Sequence, residues 1–169
     1  MPSIRRLIQH YHFLQWVRLD SELSLILLQT ALQMELNQSE PVVWNTIQAF
    51  LIKSKAAIQN ELSIAKENQF HYGVKLVRGA YIEGERALAD QHNWPNPVWE
   101  NKELTDANYD DIAAVLIGEA ASSRLECVLA GHNEHSISLA IDRLNQQPGW
   151  SIYCQFFISN CTNLTCRTV

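Results

Sequence analysis

Apolar runs that end in polar residues alternate with stretches of helical periodicity, and this alternation limits the fold more than any single motif. The runs are Leu14 to Asp20, Val42 to Phe50, Gly73 to Tyr81, Leu125 to His132 and Trp150 to Ile158. Helical patterns follow most of them, over about Ser21–Leu36, Leu51–Asn68, Thr105–Ser123 and Glu134–Gln147. Leu23, Ile26, Leu27, Thr30 and Ala31 show the i, i+3, i+4 spacing of a helix face. Thr105 and Asp106 are candidate caps for the third helical stretch, and Asn133 for the fourth. Strands that alternate with helices form a parallel sheet covered on its faces by those helices. Asp20, Gln48, Lys75 with Arg78, His132 and Gln155 mark the carboxyl ends of the runs, at intervals of 28, 27, 57 and 23 residues. The long interval is assigned to the connection Ile82–Leu104, with Trp94, Pro95, Pro97 and Trp99, and to the helix after it. Ligands of parallel α/β folds bind at the carboxyl ends of strands, so the spacing predicts one polar rim.

The 169 residues fall short of the roughly 250 that a complete eight-stranded α/β barrel typically needs. No linker divides the chain, and residues 1–169 read as a single partial domain. A net charge of −5 argues against a duplex-binding surface, so no nucleic-acid partner is expected. No apolar stretch reaches the ~20 residues of a transmembrane helix. There is no Gly-x-Gly-x-x-Gly, no P-loop and no Gly-x-Ser-x-Gly elbow. Cys127, Cys154, Cys161 and Cys166 form no Cys-x-x-Cys pair, and His132 and His135 lack further ligands, so no metal is expected. Arg5, Arg6 and Arg18 precede Asp20 without an acid, a weak presequence pattern and not a convincing transit peptide, and Phe13–Leu19 also reads as the lead into a strand.

The stretch Lys75-Leu76-Val77-Arg78-Gly79-Ala80-Tyr81 is the most informative. Two cations flank an apolar pair and lead into Gly-Ala, where backbone can approach a ligand closely. On charge alone they read either as a site for an anionic or electron-rich ligand or as solvated charges at a strand end. This stretch resembles the signature strand of the proline dehydrogenase family, Arg/Lys-Leu-Val-Arg/Lys-Gly-Ala-Tyr. Asp20-Ser21-Glu22, Asn45-Thr46-Ile47-Gln48-Ala49-Phe50-Leu51, Thr105-Asp106-Ala107-Asn108-Tyr109 and His132-Asn133-Glu134 are similar to further family blocks in the same order. The resemblance covers about residues 20–155, with residues 156–169 divergent.

The resemblance implies an α/β fold, here a partial (β/α)8 TIM-like barrel of about five βα units with parallel strands. It implies FAD as cofactor, L-proline as substrate, 1-pyrroline-5-carboxylate as product and a quinone as electron acceptor. It also implies a mitochondrial setting, with peripheral association at the matrix side of the inner membrane. By position, Asp20 and Lys75 match catalytic residues, with Lys75 the basic group beside the reactive flavin nitrogen and Asp20 the acid that orients it. Ser21, Gln48, Lys75, Arg78, Gly79, Ala80, Gly131 and His132 match cofactor-contacting positions. Asp20 and Tyr81 border the substrate. Read from the residues alone, Asp20 also suits a helix cap, Gln48 an interior amide and His132 a hydrogen-bonded residue at a strand end.

Two departures stand out. The family's Arg-Arg-x-x-Glu helix grips the proline carboxylate with paired guanidiniums. Here Arg143 and Arg167 are the only arginines after Arg124, and Arg5-Arg6-Leu7-Ile8-Gln9 imitates the pattern at the wrong end. The last run reads Gln155-Phe156-Phe157-Ile158-Ser159-Asn160 where the family's seventh strand continues differently, and neither an eighth strand nor the first strands are expected within residues 1–169. Two expectations follow: an active proline dehydrogenase, or a family fragment impaired by the lack of that arginine pair.

Overall fold

The computed structural model describes residues 22–120, 124–146, 155–157 and 164–165, with side chains for 28–120 and 124–146. In chain order the elements are α1 (Glu22–Leu36), β1 (Asn45–Gln48), α2 (Ser54–Asn68), β2 (Tyr72–Val77), α3 (Ile82–His92), α4 (Lys102–Ala120), β3 (Leu125–Ala130), α5 (Glu134–Asn145), β4 (Gln155–Phe157) and β5 (Leu164–Thr165). They build one sheet in the order β1-β2-β3-β4-β5. Strands β1 to β4 run parallel. Four of the five apolar runs therefore hold one parallel strand each, and Leu14–Asp20 lies outside the described residues.

Three features differ from the expectation. Strand β5 pairs antiparallel with β4. Only residues 158–163 separate the two strands, whereas a parallel crossover needs a dozen or more. The connection Ile82–Leu104 contains α3, and its proline-rich part returns to the rim, where Val98 bridges Leu51 in antiparallel fashion. Helix α4 starts at Lys102, ahead of Thr105 and Asp106. Asn101 Oδ1 accepts from the Leu104 amide (2.9 Å), so Asn101 performs the capping bond. Asn133 caps α5 as expected, its side chain accepting from the Ser136 amide.

The register determines where the core lies. Asn45, Val74 and Cys127 share one row, and Ile47, Leu76 and Leu129 another. These rows face the helices. Ile47, Val74, Leu76, Cys127 and Leu129 pack against Ile58, Leu62 and Ala65 of α2, Ile112, Leu116 and Ile117 of α4, and Ala140 and Leu144 of α5. Each fully buried Leu or Ile contributes about 1.5–3 kcal/mol, so this face carries most of the stability. The intervening row, Thr46–Lys75–Val128, lies on the opposite face.

Buried polar groups close the lower end of the helix-covered layer. Gly73 extends one residue beyond the start of β1, and Gln33 of α1 serves both its N–H (2.9 Å) and its C=O (3.0 Å). Asn45 donates to Thr30 Oγ1 (3.2 Å) and to Glu61 Oε2 (2.8 Å), and the Tyr72 hydroxyl also donates to Glu61. Glu61 is only 2% exposed. Burial raises its carboxyl pKa, and the hydrogen bonds from Tyr72 and Asn45 only partly oppose this.

The folded protein therefore holds the Glu61 proton more tightly than the unfolded chain does. The cost of ionising it is absent below the unfolded pKa and grows as pH rises through the folded one. Melting temperatures of the wild type and Glu61→Gln should keep a constant difference below about pH 4. The difference should shift in favour of Gln as pH rises above that. A difference independent of pH would contradict the assignment.

Candidate functional site

The carboxyl ends of β1, β2 and β3 meet at one rim. The parallel ladder continues past the strands, with the Ala49 amide donating to Val77 O (2.8 Å) and the Phe50 amide to Arg78 O (3.0 Å). Asn108 of α4 donates to Ala49 O (2.8 Å) and to Ser54 Oγ (2.9 Å), which fixes the β1 exit against two helices.

Lys75 and Arg78 are three residues apart in extended chain, so they leave the sheet on opposite faces. Lys75 is exposed on the face away from the helices, between Thr46 and Val128. Among the described residues no side chain pairs with its ammonium group. The register places Gln155 in the same row, two strands from Lys75.

Arg78 turns toward the helices. Its Nε donates to Asp106 Oδ1 at 2.5 Å and its Nη2 to Ser136 Oγ at 2.7 Å. Its guanidinium lies 4.2 Å from the centroid of the Tyr109 ring. Lys102 forms a second ion pair with Asp106. Burial acts to raise the Asp106 carboxyl pKa, but the hydrogen bonds from Arg78 and Lys102 outweigh it, and the net shift is downward.

Gln48, half-buried at the end of β1, accepts the Ala80 amide at 3.3 Å. Gly79, between them, has φ +119°, and a Cβ there would sit 1.9 Å from Phe50 Cδ1 and 2.8 Å from Gln48 Oε1. The residue must be glycine for both reasons. Ala80 and Tyr81 are exposed at the rim, Tyr81 by 70%. Gly131 lies at the β3 exit beside Arg78, and His132 is exposed one residue on. Asp20 and Ser21 lie outside the described residues. Gln48, Lys75, Arg78, Gly79, Ala80, Tyr81, Gly131 and His132 thus gather at the carboxyl rim or on the face that opens to it.

A cleft of about 660 Å³ adjoins the rim. Gly79, Tyr81, Arg86, Trp99, Lys102 and Asp106 are among the residues that line it. The Trp99 indole N–H is buried without a hydrogen-bond partner among the described residues. Lys102, Trp99, Tyr109 and Ser136 were not candidate site residues in the sequence. They lie on segments that read as a plain connection or as helix interior. The available signal was chemical: a half-buried Arg at a strand exit requires a carboxylate, and Asp106 lies near the start of α4.

A family model described as proline dehydrogenase matches residues 15–160. The chain belongs to the proline dehydrogenase family. It is 36% identical over 124 residues to a hydroxyproline dehydrogenase of Xenopus laevis, covering 72% of this chain and 26% of the relative. It is 34% identical over 156 residues to the Rattus norvegicus hydroxyproline dehydrogenase, covering 85% and 34%. The human protein named proline dehydrogenase 1, mitochondrial, is 28% identical over 116 residues, covering 68% and 19%. This family member thus spans about a fifth to a third of the length of these relatives. Among solved structures, proline utilization A from Bdellovibrio bacteriovorus superposes with a TM-score of 0.72 at 24% identity, over 82% of this chain and 15% of that one. That likeness supports the partial barrel architecture.

Gly79→Ala tests the tight exit of β2. The φ strain and the clash with Phe50 should together cost about 3 kcal/mol or more, read as a lower midpoint in urea unfolding. Widening the space with Phe50→Ala should not restore Gly79→Ala, because the φ penalty persists. An unchanged midpoint for Gly79→Ala would mean that the exit adopts another conformation.

Proposed function

We propose that this chain contributes the flavin-binding part of an FAD-dependent dehydrogenase that oxidises L-proline to 1-pyrroline-5-carboxylate. In that reaction the ring nitrogen gives up a proton and the adjacent carbon a hydride, leaving a carbon–nitrogen double bond. The observation that carries the reading is Lys75, an ion-unpaired ammonium among the described residues, on the open face of β2 and just below the rim. FAD, when bound, would supply the hydride acceptor, with a quinone as the final electron acceptor.

The residues present fit such a group. A flavin dinucleotide is rich in acceptors and carries a pyrophosphate, and the rim and cleft offer donors and cations. They include Lys75, Lys102 and the unpartnered Trp99 indole N–H. Lys75 would stabilise negative charge that accumulates at the site during hydride removal. Asp20 would orient Lys75, and Ser21, Gln48 and His132 would border the cofactor. Tyr81 would shape the substrate pocket. Relatives named as mitochondrial support a mitochondrial setting, and we extend this to peripheral contact with the inner membrane, where quinones reside. No helix among the described residues is long and apolar enough to cross a membrane.

Hydroxyproline is a second substrate reading. The relatives named hydroxyproline dehydrogenase from frog and rat, at 36% and 34%, stand beside an Arabidopsis thaliana proline dehydrogenase 1 at 34%. The two substrates differ by one hydroxyl, which a pocket distinguishes strongly only if it hydrogen-bonds that group.

The purified chain should show flavin absorbance and reduce a dye when proline or hydroxyproline is added. The ratio of kcat/KM values would separate the substrates. Lys75→Met should slow flavin bleaching by about a hundredfold while retaining bound FAD. Absence of both flavin absorbance and dye reduction would overturn the reading for this chain and leave the family fragment that is catalytically impaired.

A further inference from the structure

The two cations of the Lys75-Leu76-Val77-Arg78 strand have different surroundings. Lys75 faces the open side, whereas Arg78 faces the helices and is engaged on three sides. Its Nε holds Asp106 in the first part of α4, its Nη2 holds Ser136 in the first turn of α5, and its plane covers Tyr109. The Tyr109 hydroxyl in turn donates to Ala130 O at 3.3 Å, the last residue of β3. One planar group thereby joins the β2 exit, the β3 exit and the starts of two helices. Lysine could not do this, because a point charge on a flexible stem offers neither a rigid fork nor a flat face.

The position is electrostatically unusual. Helix N-termini carry partial positive charge, and a guanidinium beside two of them is unfavourable unless an anion intervenes. Asp106 supplies that anion and Lys102 competes for it. Gly131 completes the arrangement, since a Cβ there would lie 3.0 Å from Arg78 Nη1. The β2 exit carries Gly79 and Ala80, and the β3 exit carries Gly131 and His132. Arg78 therefore spans the two segments that would wall the cofactor.

We infer that Arg78 is a positioning residue: through Asp106, Ser136 and Tyr109 it sets the separation of the β2 and β3 exits, and it acts on the cofactor through that spacing rather than by contact. The inference rests on the proposed flavin site, and its test separates the two. FAD affinity is measured by quenching of flavin fluorescence for the full chain and for Arg78→Ala, Arg78→Lys, Asp106→Asn and Ser136→Ala. Hydrogen exchange at the amides of residues 79–81 and 131–133 is measured in parallel on the flavin-free proteins.

Arg78→Ala should weaken FAD binding by about tenfold to a hundredfold, and Arg78→Lys should not restore it. Asp106→Asn and Ser136→Ala should weaken it too, and each should add little in the Arg78→Ala background. Millimolar guanidinium ion should recover part of the loss in Arg78→Ala. Faster exchange should appear at both exits without flavin, including in Ser136→Ala, which removes one hydroxyl and leaves the ion pair. Wild-type affinity and exchange in Ser136→Ala and Asp106→Asn, with loss confined to the Arg78 variants, would overturn the inference in favour of direct contact. If the wild type binds no FAD, the flavin reading fails. In that case the exchange pattern still decides whether Arg78 couples the two exits.

Discussion

The parallel register of β1, β2 and β3 sorts each residue of the sheet to one of two faces. Asn45, Val74 and Cys127 turn to the helices, and so do Ile47, Leu76 and Leu129. Thr46, Lys75 and Val128 turn away. A slip of one residue would exchange these sets, placing an ammonium in the core and aliphatic side chains on the open face. The hydrophobic penalty for that slip, summed over rows of buried residues, far exceeds anything the rim interactions supply. The site is therefore positioned by packing in the layer beneath it.

Polar interactions in this molecule differ in weight according to burial. Lys55–Asp111 and Lys66–Glu119 join α2 to α4 at the surface, where solvent screens them and they contribute little. The Thr30–Asn45–Glu61–Tyr72 cluster is enclosed, and Asn45 Oδ1 and Glu61 Oε1 lack hydrogen-bond partners among the described residues. Desolvation dominates there, and the carboxyl resists ionisation. The Arg78–Asp106 pair lies between these cases, with each side chain about one-fifth exposed. Its geometry, with a fork on one side and a ring on the other, gives it directional specificity that the surface pairs lack.

Much of the layout was legible beforehand because it depends on periodicity. Parallel strands fell within the runs at Val42–Phe50, Gly73–Tyr81, Leu125–His132 and Trp150–Ile158. Asn133 caps its helix because an Asn side chain satisfies orphan amides through local geometry. The misreadings arose where distant partners compete with local preference. Asp106 is a good cap by type, yet its carboxylate goes to Arg78, 28 residues earlier. The connection after Tyr81 is assigned no element of its own from the sequence, yet its first part is helical and its last part bridges Leu51. Strand β5 reverses direction because the intervening chain is too short for a crossover.

The family, the βα order and the cluster of polar residues at strand ends follow from the one-dimensional pattern, since side-chain alternation and helix periodicity are local properties of the backbone. The alternation also contains the opposed directions of Lys75 and Arg78, because residues three apart in a strand face opposite ways. Which partner each cation meets is not local. Asp106, Ser136 and Tyr109 reach Arg78 only after α4 and α5 pack on the sheet. Ion pairing depends on distances across the fold, and those distances arise from the packing of the core.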